Sequence, residues 1–151
     1  AVMNKGRIEQ IDAPYAIYNR PRTRFVAGFI GRTNFVAASC EGGQVLFDGF
    51  ALPRDAFEDG GGELGRALLF SVRPQSIALH RAAAAPPPPP RRRYVVGEIV
   101  ERAYLGESWD YVAAPAASAL RLKVSAPPVQ IFEVGEKVWL EFDPRQMAPI
   151  T

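Results

Sequence analysis

ELGRALLFSVRPQSIA, residues 63–78, and EVGEKVWLEFDPRQMA, residues 133–148, align without a gap when the chain is shifted by seventy positions. Glu, Gly, Pro and the final Ala coincide, and Leu68, Phe70 and Val72 fall on Val138, Leu140 and Phe142. In both copies apolar residues alternate with others up to a proline, which is the pattern of a strand with one buried face. A repeat of this kind predicts two related β units. It also explains the glycine-rich GGGELGR at residues 60–66, whose spacing imitates a phosphate loop. A P-loop requires Lys and then Ser or Thr after its last glycine, and Arg66 and Ala67 follow here. A dinucleotide fingerprint requires a helix after the glycines, whereas RALLFSVRP reads as a strand. Gly65 and Gly135 recur before the same strand, so a turn that uses positive φ accounts for them.

Short strands separated by glycine and proline continue on both sides of the repeat, the texture of a small barrel or sandwich. NFVAAS, QVLFDG, ALLFSV and QSIALH are the strands expected of a first half, residues 34–81. A proline-rich spacer, residues 82–93, contains PPPPP and three arginines and reads as a stiff polyproline II segment. The second half, residues 94–151, offers YVVGEIVERAY, SWDYVAA, ALRLKVS, VQIF and KVWLEFD. Before the barrel, VMNKGRIEQI predicts a hairpin turning at Asn4 to Gly6, with Ile8 and Ile11 among its packing residues. PYAIYN predicts a short helix opened by Pro14, and RFVAGFI a second one capped by Thr23 and closed by Gly31. Its apolar stripe is Phe25, Val26, Phe29 and Ile30. Little within residues 1–31 could bury two such helices, and the chain opens Ala-Val-Met, so this region reads as the end of a larger domain.

Composition narrows the function. The 151 residues carry a net charge of +2, which gives weak support to any polyanionic partner, and nucleic acid is not expected. One cysteine, Cys40, excludes an intrachain disulfide and suits a reducing compartment. One histidine, His80, cannot build a His-based metal cluster and reads as a strand-end residue. Glu41, Asp48, Asp55, Glu58, Asp59 and Glu63 make the first half's edge acidic without EF-hand spacing. Tyr94, Tyr104, Trp109, Tyr111 and Trp139 either fill the barrel or form a stacking face. No run approaches a membrane span. These features favour a binding or interaction module over an enzyme.

MNKGRIEQIDAPYAIYNRPRTRFVAGFIGRTNF resembles the segment that follows the nucleotide-binding core in importer-type ABC transporter ATPases of the polyamine, ferric iron and sugar branch. Lys5 to Ile8, Pro14, Ile17, Tyr18, Phe25 to Ala27, Phe29 to Gly31 and Asn34 match its K-G-R-I, P-x-x-I-Y and F-V-A-x-F-I-G-x-x-N pattern. SVRPQSIAL, AYLGESWDYV, LRLKV and GEKVWLEFDP resemble that family's C-terminal TOBE region, an OB-like β barrel of two related halves. Gln75 stands where Glu is usual, and Asp12-Ala13 replaces Gly-Thr.

The resemblance implies a mainly β, OB-like barrel over residues 34–151, preceded by a hairpin and two short helices, residues 1–31, that end a nucleotide-binding domain. It implies a regulatory and dimerisation role in the ATP-binding subunit of an ABC importer of spermidine/putrescine or ferric iron type. The alternative is a barrel that senses a small molecule or an oxyanion and so regulates transport. The catalytic motifs are absent from the sequence, so no enzyme activity and no cofactor are expected here, while the parent protein would be a transport ATPase using ATP and Mg. Expected partners are a second copy through the barrels, transmembrane permease subunits and a solute-binding protein. The expected location is cytoplasmic, peripheral on the inner face of the cell membrane. Candidate interface or effector residues are Arg73 beside Pro74, and Tyr104, Leu105 and Gly106 at an exposed apolar turn.

Overall fold

The computed structural model describes residues 1–57, 67–82 and 94–150. The GGGELGR turn with Gly65, the acidic residues Glu58, Asp59 and Glu63, and the proline run with residues 91–93 lie outside them. The chain begins with a hairpin of β1 (Val2–Asn4) and β2 (Arg7–Gln10). Lys5 and Gly6 make its two-residue turn with φ of 50° and 80°, the paired positive values that match strand twist. Two helices follow, α1 (Pro14–Asn19) and α2 (Arg24–Ile30). Pro14 opens α1, and the Thr23 hydroxyl caps α2 by accepting from the Val26 amide at 3.2 Å.

Val2, Ile17 and Val26 form the small core of this unit, with Ile30 packed on it. Ile8 and Ile11 do not pack as expected, being 58% and 64% exposed. The expected stripe on α2 is likewise rotated: Val26 and Ala27 are buried, while Phe25 and Phe29 stack on each other at the surface with centroids 5.6 Å apart. A seven-residue helix presents less than two full turns, so one residue of rotation exchanges the inner and outer pairs. Gly31 ends α2 in extended backbone (φ 173°), without the left-handed turn that closes many helices.

Within residues 34–150 the described strands form two five-stranded antiparallel sheets. In the first, β3 (Asn34–Glu41), β4 (Gln44–Phe47), β5 (Phe50–Pro53), β6 (Ala67–Val72) and β12 (Met147–Ile150) run in the order β12-β6-β3-β4-β5. In the second, β7 (Ala78–Arg81), β8 (Tyr94–Tyr104), β9 (Trp109–Pro115), β10 (Leu122–Ala126) and β11 (Lys137–Glu141) run in the order β7-β11-β8-β9-β10. The two orders correspond strand for strand once β7 is matched with β12. The repeated stretches supply β6 and β11, and each then meets a proline at the start of a 3-10 turn, Pro74–Ser76 or Pro144–Gln146. After that corner the chain leaves its own sheet and joins the other one. β7 pairs with β11, and β12 pairs with β6.

One hydrophobic core lies between the sheets, drawing Phe70 and Val72 from β6, Val138 and Leu140 from β11, and Ile99, Tyr111, Leu122 and Val124 from the second sheet. The fold is mainly β and OB-like in class. VQIF is not a strand: Pro127 and Pro128 remove two ladder donors, the Gln130 amide turns back onto the Pro127 carbonyl at 3.0 Å, and Val129 points to solvent. QSIALH gives only the short β7, because Pro74 draws Gln75 and Ser76 into the 3-10 turn. Two strands were not expected, β5 and β12. Both contain proline, and both are edge strands, where a missing amide donor is tolerated.

Candidate functional site

Arg73 ends the first copy of the repeat. The proline after it disfavours helical backbone, and Arg73 is extended at φ −68° and ψ 142°. Its side chain leaves the barrel for the N-terminal unit. Nη1 donates to the carbonyls of Ala27 (3.0 Å), Gly31 (2.9 Å) and Arg32 (3.0 Å), and Nη2 donates to the carbonyl of Tyr18 (3.2 Å). The guanidinium also lies 4.5 Å over the Tyr18 ring. These carbonyls belong to the last turns of α2 and α1 and the residues just beyond, where helices leave acceptors unpaired and carry partial negative charge.

Only 5% of Arg73 is exposed. Burial lowers its pKa from the ordinary arginine value, against a smaller raising contribution from Tyr18. Each of these donated hydrogen bonds goes to a carbonyl, so helix ends and an aromatic face hold the charge. Tyr18 completes the contact through a hydrogen bond between its hydroxyl and Gln75 Nε2. Arg73 therefore caps two helices at once, which is why Gly31 need not.

The connector after α2 is fixed to both sheets. Arg32 forms a two-pronged ion pair with Asp110 on β9, at 2.7 and 3.3 Å, and this hydrogen bonding raises the Arg32 pKa. The Thr33 hydroxyl lies 2.6 Å from that of Ser71. Asn34 is buried and acts as a surrogate peptide: Nδ2 donates to the carbonyls of Val72 (3.1 Å) and Lys123 (2.9 Å), and Oδ1 accepts from the Lys123 amide (2.8 Å). One side chain thereby joins β3 to the edge of β10 across the two sheets. Sequence reasoning singled out Asn34 only through the resemblance, and Arg32 and Asp110 not at all. Arg32 reaches Asp110 across 78 positions and Asn34 reaches Lys123 across 89, beyond any local pattern.

Tyr104 ends β8, and Leu105 and Gly106 follow it in the turn to β9. Gly106 takes φ +86° and its carbonyl accepts from the Tyr104 hydroxyl at 3.0 Å. Tyr104 and Leu105 are 58% and 57% exposed. Tyr104, Trp109 and Tyr111 run inward as a ladder of rings 4.9 and 5.8 Å apart. Trp109 Nε1 donates to the Pro128 carbonyl at 3.3 Å, which brings the exposed Val129 beside the turn. Tyr111 is buried, so the aromatic group divides between core and surface. The structure keeps Arg73 apart from this tip: Arg73 is in a socket, and Tyr104 and Leu105 are at a surface.

His80 on β7 pairs with Glu141 Oε1 at 2.8 Å and packs on Tyr94. Cys40 is half-buried on β3 in the other sheet, against the core. Asp48 accepts from the Ala119 amide at 2.8 Å and from the Ser118 hydroxyl at 3.2 Å, so one member of the acidic edge bridges the sheets. Among the described residues no group of three or more His, Cys, Asp or Glu could hold a metal ion, and no helix is long and apolar enough to cross a membrane.

The TOBE domain family matches residues 70–149. The chain is 35% identical over 147 residues to the spermidine/putrescine import ATP-binding protein PotA of Pseudomonas aeruginosa, covering 91% of this chain and 39% of that protein. It is 32% identical over 146 residues to the Fe(3+) ions import ATP-binding protein FbpC of Escherichia coli, covering 97% and 38%. Among solved structures it resembles the cytoplasmic molybdate-binding protein ModG at a TM-score of 0.57 and 9% identity, over 77% of this chain and 94% of that one. At that identity the likeness concerns the fold alone. The chain spans about two fifths of the length of these curated relatives.

Proposed function

The chain belongs to the TOBE domain family, and from that premise we propose that it is the barrel-bearing regulatory and dimerisation part of the ATP-binding subunit of an ABC importer. The observation that carries the reading is the similarity to import ATP-binding proteins over nine tenths of the chain, which includes the N-terminal unit as well as the barrel. The exposed apolar residues Met3, Ile8, Ile11, Tyr15 and Phe29 support it, since they suit a face that packs against the nucleotide-binding core. On this reading the parent protein is a transport ATPase that uses ATP and Mg and energises solute uptake through permease subunits and a solute-binding protein. It works on the cytoplasmic side of the membrane. Polyamine or ferric iron is the solute that these relatives favour.

The role follows from what such a barrel can add. Closure of two nucleotide domains is driven by ATP, and a contact between the two barrels biases the same equilibrium by its differential stability in the open and closed pairs. Arg73 supplies the mechanical link, because it seats the barrel on the ends of both helices of the N-terminal unit. Calorimetric titration of this chain with ATP and Mg should give no stoichiometric heat, since the nucleotide motifs belong to the remainder of the parent protein. Saturable, Mg-dependent binding with one site per chain would overturn the assignment.

A further inference from the structure

The outer face of the second sheet carries an ordered charge pattern. Glu101 on β8, Val112 on β9 and Lys123 on β10 stand in one row across three strands. Glu98 and Ala114 stand opposite each other in the next row, and Arg121, which precedes β10, lines the same trough. Carboxylates therefore occupy the β8 bank, cations the β10 bank, and small apolar side chains the floor. Neighbouring strands are about 4.8 Å apart, so the two banks are separated by about 10 Å at the backbone.

The trough is a real concavity. A bulge between Ile99 and Glu101 bends β8, and beside it opens a cleft of about 520 Å³ lined by Val100, Val112, Val134 and Lys123, the scale of a small-molecule site. Among the described residues Glu101, Glu98, Lys123 and Arg121 make no ion pair. Lys123 is nevertheless held in place, because Asn34 grips its backbone on both sides. Other charges nearby are engaged: Arg32 by Asp110, and Arg102 by Glu133 at 3.1 Å. Lys137 stands beside Glu98 in register, whereas Glu101 and Lys123 face each other across the apolar Val112, one charge of each sign on opposite banks.

We propose that this trough binds a small amphoteric ligand, an amine and a carboxylate separated by a short apolar chain. The ammonium lies against Glu101, the carboxylate against Lys123, and the methylenes over Val112. A ligand with a single charge leaves one bank unanswered, and a bare anion meets Glu101. The cleft also borders the joint, since Arg32 lines it and its carbonyl accepts from Arg73. Occupancy is thereby placed next to the contact that fixes the N-terminal unit to the barrel. The site rests on the geometry of the second sheet and uses no barrel-to-barrel contact, so its failure leaves the importer assignment standing.

The test is a titration of the isotope-labelled chain with 4-aminobutyrate and 6-aminohexanoate, followed by amide chemical shifts, with butyrate and butylamine as single-charge controls. Saturable shifts at Val100, Val112 and Lys123 are expected with an amino acid, with each control at least about tenfold weaker, the loss of one charge-assisted contact. Lys123→Met and Glu101→Gln should each weaken binding about tenfold with native dispersion retained. The doubly swapped Glu101→Lys, Lys123→Glu chain should restore it, with the ligand reversed. Absence of saturable shifts with both amino acids, equal binding of the controls, or a swapped chain no tighter than the single variants overturns the proposal.

Discussion

Arg73 and Asn34 show how much one polar side chain can hold when its partners are backbone groups. Removing the Arg73 guanidinium leaves the carbonyls of Tyr18, Ala27, Gly31 and Arg32 without this donor in a region that water barely reaches. Arg73→Ala should therefore lower unfolding free energy by about 3 kcal/mol, the range for buried hydrogen bonds to a charged group. Arg73→Lys should recover part of this, because an ammonium reaches one helix end but cannot fork to two. Urea unfolding of the three chains measures both values, and an unchanged midpoint for Arg73→Ala would contradict the capping role. For Asn34→Asp the sign follows from the donors: Nδ2 faces two carbonyls, and a carboxylate oxygen in its place is repelled by both. A loss of about 2 kcal/mol or more is expected from the same unfolding curves, because a buried polar group then lacks a donor. The resemblance singled out Arg73 without revealing its job. Seventy positions on stands Asp143, which accepts from the Arg145 amide at 3.1 Å and caps its own 3-10 turn. At the same corner one copy caps itself and the other caps its neighbour, a difference that alternation of apolar residues cannot encode.

At the scale of elements, the repeat told more than either half alone. The strands β3, β4, β6, β8, β9, β10 and β11 were legible because a buried face imposes period-two alternation on the sequence. The edge strands β5 and β12 were not, since proline is a breaker in any local reading and only an edge position excuses it. VQIF failed for the opposite reason: a β-branched, apolar tetrapeptide has strand propensity, but the two prolines before it and its lack of a partner strand decide otherwise. What no local signal carries is the crossing of β7 and β12 between sheets. That crossing predicts interdependence. A chain ending at residue 82 lacks β12 beside β6, and one beginning at residue 94 lacks β7 beside β11. Each piece leaves a sheet edge and half of a shared core open to water. Residues 1–82 and 94–151 produced separately should show little cooperative unfolding, and mixing them should restore the near-ultraviolet signal of the buried Tyr111. Cooperative folding of either piece by itself would mean that the halves are independent domains.

At the scale of the molecule, two apolar surfaces of different character need covering. The first lies on the N-terminal unit and is assigned above to the nucleotide-binding core. The second is the tip of the β8–β9 hairpin, where Tyr104 and Leu105 stand out beside Val129 over a ladder of aromatic rings. A hairpin braced from beneath by Trp109 and Tyr111 presents these residues with little conformational freedom left to lose on association. The tip lies at the turn end of two interior strands of the second sheet, and its residues are exposed, so the same patch on two copies can meet about a two-fold axis. A single turn and one loop are a small area for a stable contact. The expected dimer is therefore weak in isolation and, on the importer reading proposed above, strengthened when nucleotide domains hold two barrels together at high effective concentration. Sedimentation equilibrium over a wide concentration range should give reversible dimerisation of this chain, with a dissociation constant in the range of about 10 μM to 1 mM. Leu105→Asp buries a charge at the centre of that contact and should abolish it while leaving thermal stability within about 0.5 kcal/mol, as expected of an exposed site. A monomer at every concentration, or a dimer indifferent to Leu105→Asp, would move the pairing surface away from the hairpin tip. Association would then depend on the nucleotide domains, and the barrel would act on transport through the Arg73 joint alone.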